Sequence, residues 1–459
     1  MTTLATPRAT RSGPGPAGAV LGLTGAATLI ALMNYTAPMA VLADTAASLH
    51  AGATARIWLM SSISLGLAAA LLAVGSLADD HGRRRVFLLG GLLLAASSAA
   101  CAVAPGAGVF VAGRIVQGAA SAALLATGLG ILGTAYTGAE RVRATGVWGA
   151  MLGLGIALGP IASAAFAVAD WRLWYWATAA ASLALTAASA RALPESRAAV
   201  RRGLDLPGTL TMAGGVTALL TAVTLGRTGW TRPAVLVSLA IAAVLLAAFP
   251  LVEARRRAPM LEPGLFRRPA FLLSVTGALV TGLGIIGVMS YLVTVLDVAL
   301  GMTPLTAALL FAVWSGLSFL VALQARRLPT RFAAGRLLAV ALLVNAAGEL
   351  ALLGLAPGTH WWRLLPGLVV AGIGSGLGNA MLARVAVESV PPERASMGSG
   401  ANNTARYIGA SLGVAGAIAI ASSGGTSTTA VLHGTNAAML ASAVVCALGA
   451  LLAAVLDGR

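Results

Sequence analysis

The sequence predicts an all-α polytopic membrane protein with about fourteen transmembrane helices and both termini in the cytoplasm. Three observations predict it. Charged residues make up 10% of the 459-residue chain and hydrophobic residues 58%, whereas a soluble domain carries about a quarter charged residues. Apolar runs of roughly twenty residues, long enough to cross a bilayer as a helix, recur along the whole chain. Arg, which stands for every basic residue since the chain has no Lys, collects in the connections of one side.

The runs fall at 19–42, 54–78, 86–104, 107–133, 144–168, 173–193, 206–226, 233–252, 270–296, 303–325, 337–356, 363–387, 400–422 and 434–456. With the N-terminus inside, 22 Arg lie in inside segments and 5 in outside segments, while Arg114, Arg384 and Arg406 fall within spans. A missed span would invert that bias downstream, so the count is even. The polar, Pro/Gly-rich segment 1–18 reads as a disordered cytoplasmic N-terminus, and the run after it as a retained first helix. Gly at 56 positions and abundant Ala suit helices packed closely in lipid.

Several function classes are excluded. The formal charge of +16 does not mark a nucleic-acid surface, because the Arg residues sit in short loops and form no continuous basic face. Cys101 and Cys446 lie inside apolar spans and read as small buried hydrophobes. His50, His81, His360 and His433 are scattered among loops. No metal spacing, nucleotide-binding loop or polar catalytic cluster occurs, and the longest inside connections, 191–205 and 253–269, leave no room for a soluble domain. Neither an enzyme nor a cofactor is expected.

The first segment with chemical order is Gly75-Ser-Leu-Ala-Asp79-Asp-His-Gly82-Arg83-Arg84-Arg85, between the second and third spans. Gly82 permits a tight turn. Asp79 can accept hydrogen bonds from a helix N-terminus or an Arg, a contact able to form in one conformation and break in another. The segment resembles the corresponding loop of major facilitator superfamily transporters, G-x-L-a-D-r-x-G-r-r/k, at Gly75, Leu77, Asp79, Gly82, Arg83 and Arg84. It departs from that pattern at Asp80, for which the sequence offers no physical reason.

Two further segments carry the same resemblance. Arg114-Ile-Val-Gln117-Gly118 in the fourth span is similar to the family's R-x-x-Q-G. A cation at that depth needs a partner or a wet cavity; the resemblance implies a role in proton transfer, and a structural pair is the alternative. In the fifth span, Gly155-Ile-Ala-Leu-Gly159-Pro160-Ile-Ala-Ser163-Ala164 resembles the antiporter motif g-x-x-x-G-P-x-x-G-G, with Ser and Ala in place of the last two glycines. Gly155 and Gly159 would make a smooth packing face, and Pro160 would kink the helix. Segments 202–208, 259–266, 300–307 and 388–406 look like the fourteen-helix drug:proton antiporter branch. The resemblance implies two six-helix bundles, 19–193 and 270–456, with two additional linker helices at 206–252.

It also implies the site. The family's first helix carries an Asp where this chain has Asn34, so a coupling carboxylate is missing there. Asp44, Asp297 and Glu349 are the remaining candidates, Glu349 being the one carboxylate near the middle of a span, and each also has a plain interfacial or local-pair reading. Asn34, Tyr35, Met39, Trp58, Met151, Met289, Tyr291, Trp314, Asn379 and Asn403 lie on spans expected to face a central substrate cavity. Arg327–Arg336 sits where the second half should repeat the Gly75 loop, and has lost the Asp. The implied activity is proton-coupled efflux of a lipophilic drug or secondary metabolite, cations included, across the cell membrane by alternating access. The partners are that small molecule, protons and the lipid bilayer, with no nucleic acid and a functional monomer. A dedicated metabolite exporter or a facilitator without proton coupling is the alternative; a transport-dead sensor or a membrane enzyme is the remote one.

Overall fold

A computed structural model describes residues 17–198, 205–226, 229–256, 259–325, 327, 333–425 and 427–457. They form helices and connections, with no strand among the described residues. The first span is two helices, α1 (Ala17–Thr36) and α2 (Pro38–Ser48), because Pro38 has no N–H to continue the helical ladder. Then come α3 (Ala53–His81), α4 (Arg83–Ala102), α5 (Ala107–Ala135), α6 (Gly138–Ala167) and α7 (Arg172–Ala192). Two linker-region helices follow, α8 (Leu206–Gly226) and α9 (Pro233–Arg255). The ninth span is α10 (Pro269–Val280) and α11 (Gly287–Val298), joined by a π-helical turn at Thr281–Ile286. The chain ends with α12 (Pro304–Ala325), α13 (Ala334–Ala351), α14 (Leu365–Glu388), α15 (Ala395–Ser422) and α16 (Thr428–Asp457).

Among the described residues, 13 helices are long and apolar enough to cross a membrane. The 21-residue α7 matches them in length, but its Trp, Tyr, Ser and Thr residues make it more polar. It packs on α4 in line with the others. The expected disordered terminus at 1–18 falls almost wholly outside the described residues, as do 328–332 of the 327–336 loop and the Asp297 side chain.

Small residues set the packing. A Cβ on Gly118 of α5 would lie 2.6 Å from the Leu67 amide nitrogen of α3, so the two backbones meet with no side chain between them. A Cβ on Gly155 of α6 would meet Leu32 Cβ at 2.7 Å, and one on Gly159 the Met33 carbonyl at 2.6 Å, which seats α6 on α1. Pro160 withdraws the donor that the Ile156 carbonyl would use, and Thr36 Oγ1, whose hydrogen also has the Leu32 carbonyl at 3.1 Å, lies 3.4 Å from it.

One apolar core gathers around Leu67, Leu71, Leu124 and Leu129, and a second around Leu292, Leu310, Leu338 and Leu382. Between the two groups of helices run two seams. At one, α3 and α5 pack on α15; at the other, α6 packs on α12 and α14. The pair α8–α9 leans on α3 and α15 through α8, and α9 touches little else.

Candidate functional site

The Gly75 segment is a helix–turn–helix with Gly82 at its corner. Gly82 has φ +116°, a region that a side chain resists, and a Cβ there would lie 2.7 Å from Glu195 Oε1. The turn places Asp79 at the first turn of α15. Its carboxylate accepts from the Ser396 amide at 3.1 Å and the Met397 amide at 2.8 Å. These are amides a helix start leaves without an internal acceptor, and the helix dipole favours an anion there.

Arg83 completes this contact. Its Nε donates to Asp79 Oδ1 at 2.8 Å and to Ser396 Oγ at 3.1 Å, and its Nη2 donates to the carbonyls of Pro392 and Glu393 at 3.0 and 2.9 Å. Asp79 and Arg83 are both fully buried. Next to them, Asp80 accepts from Arg394 Nη1 at 2.8 Å, which answers why an acid stands there. Arg84 donates to the Ala190 carbonyl, and Glu195 takes the Arg84 and Ser196 amides at 3.2 and 3.1 Å. Gly75 brings α3 close enough for this: a Cβ on it would lie 3.2 Å from Met397 Cα.

Arg114, two turns into α5, is fully buried. Its Nη1 donates to the Asn34 carbonyl at 2.9 Å, to Asn34 Oδ1 at 3.1 Å and to Gln117 Oε1 at 2.9 Å. Gln117 Nε2 in turn donates to Ser98 Oγ at 2.9 Å. The Asn34 carbonyl is available because Pro38, four residues on, offers it no N–H. Arg114 Nε and Nη2 are buried without a partner, and each acceptor it meets is neutral.

The candidate carboxylates are not at this cluster. Asp44 is exposed on α2. Glu349 is fully buried on α13, so it is not a lipid-boundary residue, and neither of its oxygens has a hydrogen-bond partner. Ser442 of α16 lies beside it but gives its hydroxyl hydrogen to the Gly284 carbonyl. Arg384 and Glu388 pair along α14 at 3.0 Å.

The residues expected to face the centre take several positions. Tyr35 Oη accepts from Ser64 Oγ at 3.2 Å, and its ring lies 5.6 Å from that of Tyr407 on α15. Met39, Met151 and Tyr291 pack on the second-half core, to which the buried Met289 belongs; Trp58 packs on the first-half core. Trp314 Nε1 donates to Ser375 Oγ at 3.0 Å, which donates to Asn345 Oδ1 at 2.8 Å. Asn379 donates to Ser318 Oγ at 3.2 Å and accepts from Arg406 Nη1 at 3.0 Å. Asn403 is buried and bonds within α15, to the Ser399 carbonyl at 3.0 Å.

Sequence reasoning missed Arg406 and Arg394 as site residues. The signal for Arg406 was there: a basic residue inside a span is costly and rare.

A profile of the Major Facilitator Superfamily matches residues 24–414. The chain is 33% identical over 433 residues to a probable actinorhodin transporter of Streptomyces coelicolor, covering 89% of this chain and 74% of that one. It is 33% identical over 423 residues to the puromycin resistance protein pur8 of Streptomyces alboniger, covering 90% and 83%. The multidrug efflux pump LfrA of Mycolicibacterium smegmatis is 29% identical over 412 residues, covering 89% and 82%. Among solved structures, the human organic anion transporter MFSD10 superposes with a TM-score of 0.70 at 17% identity, covering 95% of this chain and 99% of that one. The proton:xylose symporter XylE gives 0.69 at 14% identity, covering 95% and 94%. Relatives named as a transporter, a resistance protein and a multidrug efflux pump, matched over most of this chain, point to a transporter; the chain is a member of the Major Facilitator Superfamily.

Proposed function

We propose that this protein is a fourteen-helix exporter in the cell membrane, with both termini cytoplasmic, that expels a lipophilic drug or secondary metabolite by alternating access in exchange for protons. The observation that carries this reading is the Asp79 carboxylate of α3 seated on the Ser396 and Met397 amides of α15. It joins helices far apart in sequence by polar bonds, so the contact can break and re-form as two bundles, 19–193 and 270–456, rock past each other. Water competes for these bonds once the seam parts, which makes the contact switchable.

In this reading the Arg83–Asp79 and Arg394–Asp80 pairs hold the cytoplasmic end shut and the substrate site faces outward. Arg114 and Gln117 govern the proton step, and Gly155, Gly159 and Pro160 give α6 the smooth, bent surface on which the rocking turns. Glu349 is the intramembrane acid available to carry the proton. The drug-resistance relatives support the efflux direction. Everted vesicles test the reading: with an imposed pH gradient, added substrate should release protons from the lumen in proportion to its uptake. Uptake that ignores the gradient and moves no protons would sink the exchange mechanism. A second reading, an exporter without proton coupling, is favoured by Asn34, which leaves Arg114 without the carboxylate that the family pattern supplies.

A further inference from the structure

Arg406 lies in the middle of α15 and is 4% exposed. Its one partner is an amide oxygen, Asn379 Oδ1, and its Nε is buried with nothing to donate to. Among the described residues, no ion pair or carboxylate contact compensates the charge. Burying a guanidinium without a counter-charge is strongly unfavourable, so such a group inside a span marks a place where an anion arrives from elsewhere.

The position fits a ligand site. The next residue, Tyr407, meets Tyr35 of α1 ring against ring across the seam. Asn379, which holds the guanidinium, lies against α6: its carbonyl is 3.0 Å from where a Cβ on Gly149 would be. The segment around Arg406 therefore reaches both groups of helices, through Tyr407 to Tyr35 of α1 and through Asn379 to α6. Arg114 in the first half is likewise surrounded by neutral acceptors. Among the described residues no acid contacts Arg406 or Arg114, so a lipophilic cation finds no counter-charge beside either.

We propose that Arg406 is the anion-recognition residue of the substrate site, and that the exported compounds are aromatic acids whose carboxylate pairs with its guanidinium while their rings pack on Tyr35 and Tyr407. A guanidinium can hold a carboxylate through two parallel N–H donors, and here Nε is free to be one of them. This rests on the efflux reading only for the direction of transport; binding is a separate property.

Fluorescein, an aromatic carboxylate, and tetramethylrhodamine methyl ester, a cation on the same ring system, separate the possibilities. Purified full-length protein in detergent should bind fluorescein saturably, seen as fluorescence polarisation, and bind the cation more weakly. Arg406→Gln should weaken fluorescein binding by about tenfold or more, the usual loss of a charged hydrogen bond. Arg406→Lys, which keeps the charge, should recover part of it. Arg384→Gln, a residue of α14 paired with Glu388, should bind as the wild type does. Stronger binding of the cation, absence of fluorescein binding to folded protein, or unchanged binding by Arg406→Gln would each overturn the proposal. Gradient-driven export of the cation alone would overturn it and leave efflux standing. Binding of fluorescein without transport of either dye would keep the Arg406 site and sink efflux.

Discussion

Asp80 of α3 and Arg394, just ahead of α15, form a 2.8 Å ion pair with side chains 3% and 8% exposed. It stands beside the Asp79–Arg83 pair at 2.7 Å, and both tie the same end of α15 to the same turn of α3. Removing one partner of a buried pair leaves the other charge stranded, at a cost of about 3–5 kcal/mol. Asp80→Asn should therefore favour conformations in which this seam is open. Hydrogen exchange should quicken in 392–400, and unchanged protection there would show that the pair does not bear on the seam.

Asp79→Asn should act on exchange and not on affinity. Asn keeps one acceptor oxygen but loses the charge that faces the helix start and Arg83. Turnover should fall by about tenfold for a loss of charge-assisted hydrogen bonds, while the substrate Kd stays within about twofold. Stopped-flow transport and equilibrium binding on one preparation would check it; a large loss of binding with normal turnover would mean the role is misassigned.

Arg114→Ala should abolish gradient-driven transport in a protein that still folds, since it removes every donor to Asn34 and Gln117 that the cluster shares. The reciprocal change is more informative. Asn34→Asp places a carboxylate about where Oδ1 now lies, 3.1 Å from Arg114 Nη1. A group that titrates in that position should make transport depend on external pH more steeply than in the wild type. A flat pH profile in this variant would separate Arg114 from the proton step.

Glu349→Gln keeps the side-chain shape and removes the proton. If Glu349 carries it, concentrative uptake into everted vesicles should be lost while substrate–substrate counterflow continues. Because neither oxygen is bonded, the variant should unfold at the same temperature or higher. Concentrative uptake equal to the wild type would remove Glu349 from the coupling path.

Gly66→Ala probes the packing that holds α3 to α5. The new Cβ would run into the Ile115 carbonyl, a backbone atom that cannot swing aside. A loss of about 1–3 kcal/mol is expected for overpacking at such a contact, read as a lower unfolding temperature in detergent. Wild-type stability would mean the two helices can separate without loss.

Much of this architecture was legible in the sequence, because each span must satisfy its own backbone bonds and so reveals itself locally. The turn at Gly82 and the acceptor role of Asp79 were readable for the same reason: both follow from chemistry within one loop. Asp80 was not, since its partner Arg394 lies 314 residues away and local order carries no trace of it. The Arg114 cluster was half legible. The missing Asp at Asn34 was plain, but its backbone carbonyl enters the site only because Pro38 withdraws a donor, a relation between two residues that have no role in the motif. Arg406 was visible as a charge inside a span; that its partner is an amide and not an acid is decided by how α14 meets α15. The ninth span was read as one uniform helix, and its π-helical turn left no mark in the apolar pattern.

That turn changes how the ninth span must be numbered around its axis. One extra residue in a helix of 3.6 residues per turn advances everything beyond it by about 100°. Within the turn, the Gly284 carbonyl accepts from the Ser442 hydroxyl of α16. A helical wheel drawn through Pro269–Val298 as one piece would thus put Tyr291 on the wrong flank relative to Phe271 and Ser274. Any substitution scan of this span should be plotted as two wheels with a phase step between them, and a periodicity that breaks at Thr281–Ile286 is then the expected pattern.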